Sequence, residues 1–420
     1  MEAIKIPYGQ QNIKWKPPEG FSVEMIYPKD APGIPDQIGE VVRALEEPIN
    51  SKKLEDFSGI KTVAIVISDL TRPVPNKIIL PPIINKLEKM GVNPKDIKVI
   101  VGTGLHRVST QDDFVELLGE DLANKVTVIS HDALDEKMQV HCGMTRLGTP
   151  VKVNKHYVEA DLRLLTGMIE PHQIVGFSGG AKALAIGLGS KELIQANHAM
   201  LTDERAQLGK LEGNPPREDI DEVGKIVGVD FIVNVIVNNK KEIVKAVAGD
   251  FLAAHKEGVR IARKLFEVQV DKPADVIVVS PGGYPKDINA YQAQKGLLHA
   301  ARAVKENGYI ILLAECREGV GDDKFLATME RCKNPMEVID YFKARDFEVG
   351  VHKAFLWCRS LIKAKTYLIS HGIDDKTARS LMVQKRSNID EVLKEIDGLP
   401  KNAKIIVMPK ANSTIPMVGC

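Results

Sequence analysis

Lys61-Thr62-Val63-Ala64-Ile65-Val66-Ile67 is a continuous run dominated by β-branched residues. Such a run is expected of a strand buried on both faces, not of one with a solvated side. Outward from it, residues 76–90 carry apolar positions at helical spacing and stop at Gly91. Ile97-Lys98-Val99-Ile100-Val101 then reads as a second strand. Strand, helix and strand in that order predict a parallel sheet with right-handed crossovers. Further strands are expected over 126–129, 162–165, 231–237 and 243–247. The last two flank Asn238-Asn239-Lys240-Lys241, a hairpin turn. A helical pattern over 251–266 meets the polar break Val268-Gln269-Val270-Asp271-Lys272-Pro273, and the domain boundary is placed there.

The second half restarts with the same logic. Asp275-Val276-Ile277-Val278-Val279-Ser280 is a strand ending in Pro281-Gly282-Gly283. Residues 309–313 form another, ending at Glu315-Cys316, with helices expected over 323–332 and 335–345. Strands at 366–369 and 404–407 close the sheet. The expected fold is α/β, two α/β domains with largely parallel sheets and an interdomain cleft. The domains are placed at 1–270 and 271–403, with a C-terminal segment, 404–420, that could return to the first domain.

Composition sets outer bounds. The 57 Lys and Arg balance 56 Asp and Glu, which argues against a nucleic-acid binder working by bulk charge. No apolar run approaches the ~18–20 residues of a membrane span, and Met1-Glu2-Ala3-Ile4-Lys5 lacks a signal-peptide core. A cytoplasmic protein is expected. Cys142, Cys316, Cys332, Cys358 and Cys420 are scattered without a C-x-x-C pair, so they read as free thiols in a reducing compartment. Any metal must then be held by histidine, carboxylate or something other than protein.

Ligands of open α/β sheets bind at the carboxyl ends of strands, which directs attention to the following loops. Ser68-Asp69-Leu70-Thr71-Arg72-Pro73 crowds an acid, a hydroxyl and a guanidinium onto a turn. The fork of Arg72 suits a carboxylate or phosphate, although a capped helix entry with a surface ion pair would look the same. Gly102-Thr103-Gly104-Leu105-His106-Arg107 has two glycines that would let backbone amides approach an anion. Arg107 stands where a dinucleotide fingerprint needs its third glycine. His106 there is a candidate base. The densest segment is 167–182, with Glu170-Pro171-His172 and Gly179-Gly180-Ala181-Lys182. It does not fit a Walker A loop, because alanines flank Lys182. A lysine at a helix N-terminus faces the unfavourable dipole end, which would lower its pKa and make it a better nucleophile or attachment point. Asn197-His198 follows on a helix. In the second half, Gln292 and Lys295 are i, i+3 neighbours if the segment is helical. The histidines at 131, 141, 156, 255, 299, 352 and 371 are given surface or structural roles.

Asp69-x-Thr71-Arg72-Pro73, Gly102-x-Gly104-x-His106, Glu170-Pro171-His172, Gly179-Gly180-x-Lys182, Asn197-His198 and Asp287-x-Asn289-x-Tyr291-Gln292-x-x-Lys295-Gly296 occur in one order. In that order they resemble the nickel-pincer-dependent lactate racemases, from about residue 7 to 410. The resemblance implies an N-terminal cofactor-binding domain and a C-terminal substrate-closing domain. It implies a nickel(II) pyridinium-3,5-bisthiocarboxylic acid mononucleotide, tethered covalently at Lys182, with His198 as the one protein ligand to nickel. Asp69, Leu70, Thr71 and Arg72 would contact the cofactor. His106 and His172 would be the two catalytic bases, on opposite faces of a 2-hydroxy acid. Arg72, Tyr291, Gln292 and Lys295 would contact that substrate. The implied chemistry is reversible hydride transfer that inverts the α-carbon. The implied partners are a small 2-hydroxy acid and, transiently, cofactor-synthesis or insertion enzymes, with no nucleic acid or membrane.

Two features depart from the family pattern. Ile186-Gly187 stands where members often carry a proline before the glycine, and the tryptophan that covers lactate has no clear counterpart. Trp357 is near, but His352-Lys353-Ala354 occupies the corresponding stretch. The alternatives are an NAD-dependent 2-hydroxyacid dehydrogenase, against which the absent glycine fingerprint counts, and a nickel- or cofactor-storage protein of the same fold.

Overall fold

A computed structural model describes residues 2–419 and divides the chain into two compact units, Asp30–Leu265 and Met1–Lys29 with Phe266–Cys420. The first is built on a six-stranded sheet in the order Ile243–Gly249, Phe231–Val237, Leu162–Met168, Val63–Ser68, Ile97–Gly102, Thr127–Ser130. All neighbours are parallel except the first pair, the expected hairpin. Val63, Ile65 and Ile67 alternate into one fully buried cluster with Val99, Val101, Leu162, Leu164, Val233 and Val235. The intervening residues Ala64 and Val66 are also buried, so both faces of the strand are covered.

The chain order changes direction at Val63–Ser68. From there it proceeds to Ile97–Gly102 on one side, and it later returns to pair Leu162–Met168 on the other. Such a reversal leaves a crevice at the carboxyl ends of the flanking strands. The loops beginning at Asp69, Thr103 and Ile169 all leave that edge.

The second unit carries its own parallel sheet, in the order Gln384–Lys385, Ala364–Ile369, Val304–Leu313, Ala274–Val279, Lys404–Met408, Ser22–Met25. It differs from the expected division in two ways. Residues up to Lys29 belong here and not with the first domain. Ser22–Met25 pairs with Lys404–Met408, and the hairpin Ile4–Tyr8/Gln11–Trp15 buries Ile4, Ile6, Tyr8 and Trp15 in this core. The described part of the segment 404–420 stays here as well. Ile405, Ile406 and Val407 are fully buried between neighbours, and Ile415–Val418 pairs with Glu267–Val270. No helix among the described residues is long and apolar enough to cross a membrane. Cys142, Cys316, Cys332 and Cys358 are free thiols. Cys420 lies outside the described residues.

Candidate functional site

At the reversal, Asp69 is buried directly after the central strand. Its carbonyl accepts the Arg72 N–H at 3.1 Å, which closes a turn. Its carboxylate accepts Thr71 Oγ1 on Oδ1 at 2.6 Å and pairs with His106 Nδ1 through Oδ2 at 2.7 Å. Burial pushes this carboxyl up, but the hydrogen bonds from His106 and Thr71 and the Arg72 charge outweigh it, so its pKa lies below the usual value. Thr71 and Arg72 face solvent, whereas Leu70 packs on the first core.

The Gly102-Thr103-Gly104 loop does something other than cradle an anion with both its glycines. Gly104 N–H donates to Gly187 O at 3.0 Å, and a Cβ on Gly102 would lie 3.1 Å from Gly187 Cα. Two backbones pass in contact here, and side chains would hold them apart. The Ile186 N–H donates to Lys182 O at 3.0 Å, a bond that a proline at this position would forgo. His106 leaves the loop with its own N–H on Thr103 O and its ring half exposed.

The 168–182 segment is held from behind. Ser178 Oγ donates to Met168 O at 2.7 Å and accepts Glu170 N–H at 3.0 Å. Gly180 N–H donates to Asn234 Oδ1 at 2.8 Å, His255 Nε2 donates to Ser178 O at 2.8 Å, and Arg217 Nη1 donates to Gly179 O at 3.3 Å. All three supporting side chains are buried. Gly179 and Gly180 have φ of +88° and +59°, and a Cβ on either would crowd Asn234 or His255. Sequence reasoning missed Asn234, Arg217 and the supporting role of His255. Asn234 had a visible signal, a lone amide inside Phe231-Ile232-Val233-Asn234-Val235-Ile236-Val237. Within the same segment, His172 Nδ1 accepts the N–H groups of Ile174 and Val175, each at 3.3 Å.

Lys182 opens a four-residue helix, Lys182–Ala185. Its amine is pulled down to about 7, first by burial and then by the charges of Arg72 and Arg217, against the pull of Glu170 and Asp69. The lowered pKa expected at a helix start is present, but desolvation is its main cause. His198 sits near the end of the helix Lys191–Ala199, which Ser190 caps. Burial, then the nearby Lys182 charge, lowers its imidazole to about 4, and a backbone hydrogen bond with Ile194 offsets part of this. A neutral imidazole is the form that can ligate a metal. Asn197 fixes the helix from below by donating to Pro216 O and Asp219 Oδ2, both at 2.9 Å.

In the second unit, Tyr291, Gln292 and Lys295 lie on the helix Ala290–Ala300, capped by Asn289 Oδ1 on the Gln292 N–H. All three are half-buried, whereas Ala293, Gln294 and Leu297 face inward. The Lys353 ammonium lies 4.9 Å from the Tyr291 ring centre, and His352 meets that ring edge-on. Trp357 is fully buried, donates to Leu381 O at 2.9 Å and packs edge-on against Phe325. It is a core residue.

The first unit therefore groups Asp69, Arg72, Glu170 and His198 within electrostatic reach of Lys182, with His106 on Asp69. Comparison with known proteins places the whole chain. Residues 8–209 match the lactate racemase N-terminal domain, and residues 269–415 match the lactate racemase C-terminal domain. The lactate racemase of Thermoanaerobacterium thermosaccharolyticum is 32% identical over 99% of both chains. The chain belongs to the lactate racemase family. It is thereby an isomerase. A second lactate racemase, from Lactiplantibacillus plantarum, is 30% identical over 97% of this chain and 98% of its own. The solved lactate racemase apoprotein of T. thermosaccharolyticum superimposes with a TM-score of 0.91 at 31% identity, covering 99% of this chain and 100% of that one. These relatives give no support to the dehydrogenase alternative.

Proposed function

We propose that the chain inverts C2 of a 2-hydroxy acid, lactate or a related, larger one, using a nickel-pincer nucleotide held by Lys182 and His198. The observation that carries this reading is the pairing of a half-buried amine of pKa about 7 with a neutral imidazole in one electrostatic cluster. The residues fit such a group. A neutral amine can form a covalent tether, and the Arg72 guanidinium can meet an anionic substituent. Among the described residues no three His, Cys, Asp or Glu side chains are grouped to hold a metal ion. The family resemblance gives His198 as the single protein donor, and the cofactor's own soft atoms would complete a site that suits nickel(II).

When bound, the cofactor supplies a carbon centre that accepts and returns hydride. The chain's part is proton handling and orientation. His106 Nε2 takes the substrate hydroxyl proton while Asp69 steadies the resulting imidazolium. His172 serves the opposite configuration. Asp69, Leu70, Thr71 and Arg72 contact the cofactor, Arg72 and Lys295 bind the carboxylate, and Tyr291 and Gln292 line the substrate. Cytoplasmic residence and transient engagement of cofactor-inserting enzymes accompany this reading.

The test is a panel of enantiopure 2-hydroxy acids given to cofactor-loaded protein and followed by chiral chromatography. Inversion of at least one acid, lost in Lys182→Ala, is expected. Reduction of added NAD without inversion would replace this reading with the dehydrogenase one.

A further inference from the structure

His106 and His172 hold their rings in opposite ways. His106 turns Nδ1 to Asp69 Oδ2 at 2.7 Å. An ionised carboxylate only accepts hydrogen bonds, so Nδ1 carries the hydrogen, and in the neutral ring Nε2 keeps its lone pair. Thr71 Oγ1 occupies the other carboxylate oxygen at 2.6 Å and so orients Oδ2 toward the ring. His172 turns Nδ1 to two backbone N–H groups, those of Ile174 and Val175. Backbone amides only donate, so this Nδ1 is bare and the ring hydrogen sits on Nε2. A hydrogen on Nδ1 would point at two donors and forfeit both bonds.

We propose that the two histidines rest in opposite neutral tautomers, set by the Asp69 carboxylate on one and by the Ile174 and Val175 amides on the other. His106 Nε2 then keeps the lone pair that can take a proton, and His172 Nε2 carries its ring's hydrogen. On His106, the substrate O–H bond breaks, an N–H bond forms at Nε2, and the new positive charge lies against Asp69. His172 cannot give up its Nε2 proton from the neutral state without becoming an imidazolate. To act as an acid it must first gain a proton, and to act as a base at Nε2 for the opposite configuration it must first move its hydrogen to Nδ1; either change turns it from the two amides. Asp69 is therefore a positioning residue that makes the two histidines unequal. That they handle protons in catalysis rests on the function proposed above, whereas the tautomers do not.

The test uses the full chain, cofactor-free and labelled with ¹⁵N-histidine. Two-bond ¹H–¹⁵N correlation spectra are recorded at about pH 8, above the usual imidazole range near 6.5. Spectra of His106→Gln and His172→Gln assign the two rings. The expected result is an Nδ1–H pattern for His106 and an Nε2–H pattern for His172. In Asp69→Ala, His106 should relax to the tautomer mixture of a solvent imidazole while His172 stays unchanged, and Asp69→Glu should restore the Nδ1–H pattern. The same tautomer on both rings, or a His106 pattern indifferent to Asp69→Ala, overturns the proposal. Should Asp69→Ala not fold, the unmodified chain's spectrum decides alone. Expected spectra from a protein that inverts no 2-hydroxy acid would overturn the proposed function and leave the tautomers standing.

Discussion

Asp219, fully buried on the helix Pro215–Val227, holds Asn197 by its side-chain amide at 2.9 Å, one residue before His198. The same carboxylate takes Thr145 Oγ1 at 2.6 Å and Thr149 Oγ1 at 3.0 Å. One side chain thus ties a hairpin turn to the helix that presents the candidate nickel ligand. Removing it strands three donors in the interior. Asp219→Ala should lower the unfolding free energy by about 3 kcal/mol, read from urea denaturation. Nickel per chain in cofactor-loaded protein should fall further than in a destabilised control with an intact Asp219.

Lys182 gives a pH-dependent signature. Its folded pKa, about 7, lies below the ordinary lysine value of 10.5. Between those limits the unfolded chain binds more protons than the folded one, so this group's contribution to stability rises with pH. Below pH 7 the folded state bears the full cost of a desolvated ammonium. Lys182→Met should therefore be more stable than the parent chain in acid, with the advantage fading as pH climbs toward 10.5. Thermal melts across that range measure it. An advantage that grew with pH would contradict a depressed lysine.

The Gly179-Gly180 turn separates backbone strain from crowding. Gly91 has φ of +89° with open space where a Cβ would go, whereas a Cβ on Gly179 would lie 2.8 Å from both Asn234 Oδ1 and Ile169 Cγ1. Gly91→Ala should cost about 1 kcal/mol from the left-handed backbone alone. Gly179→Ala should cost about 2 kcal/mol more, and it should slow amine labelling of Lys182 or alter its pH midpoint. Denaturation midpoints of the two variants, side by side, give the difference.

Trp357 offers a check on substrate recognition. Its indole is enclosed by the second core and bonded to Leu381 O. Trp357→Phe should lose about 1–3 kcal/mol of stability while leaving the ranking of 2-hydroxy acids by kcat/KM unchanged. A changed ranking would mean that the ring reaches the substrate.

The strands most readily read from the chain were those buried on both faces. Lys61 to Ile67 and Ile97 to Val101 announce themselves because a continuous β-branched run has few other uses. Ser22–Met25 did not, since an edge strand exposed at Ser22 and Met25 carries no such run. Its partner, Lys404–Met408, is some 380 residues away, and no local pattern encodes that separation. At the candidate site, the residues proposed to meet ligands stand out as motifs at strand ends. Those that hold the motifs in place were harder to see. Arg217 and Asp219 look like ordinary charges on an amphipathic helix, and only the fold shows them turned inward. His255, given only a surface or structural role by its sequence setting, supports the turn before Lys182 with its ring.

Because Ser22–Met25 and Lys404–Met408 share an edge of one sheet, both belong to one unit, and Asp30–Leu265 is a continuous insert between them. On the ribosome the insert can complete its sheet once its own residues have emerged. The host unit must keep its first 29 residues waiting until residue 404 is made, an interval on the order of tens of seconds at ordinary elongation rates. The unit assigned the cofactor tether can thus mature first, while Ser22–Met25 remains without its pairing strand until Lys404–Met408 is made.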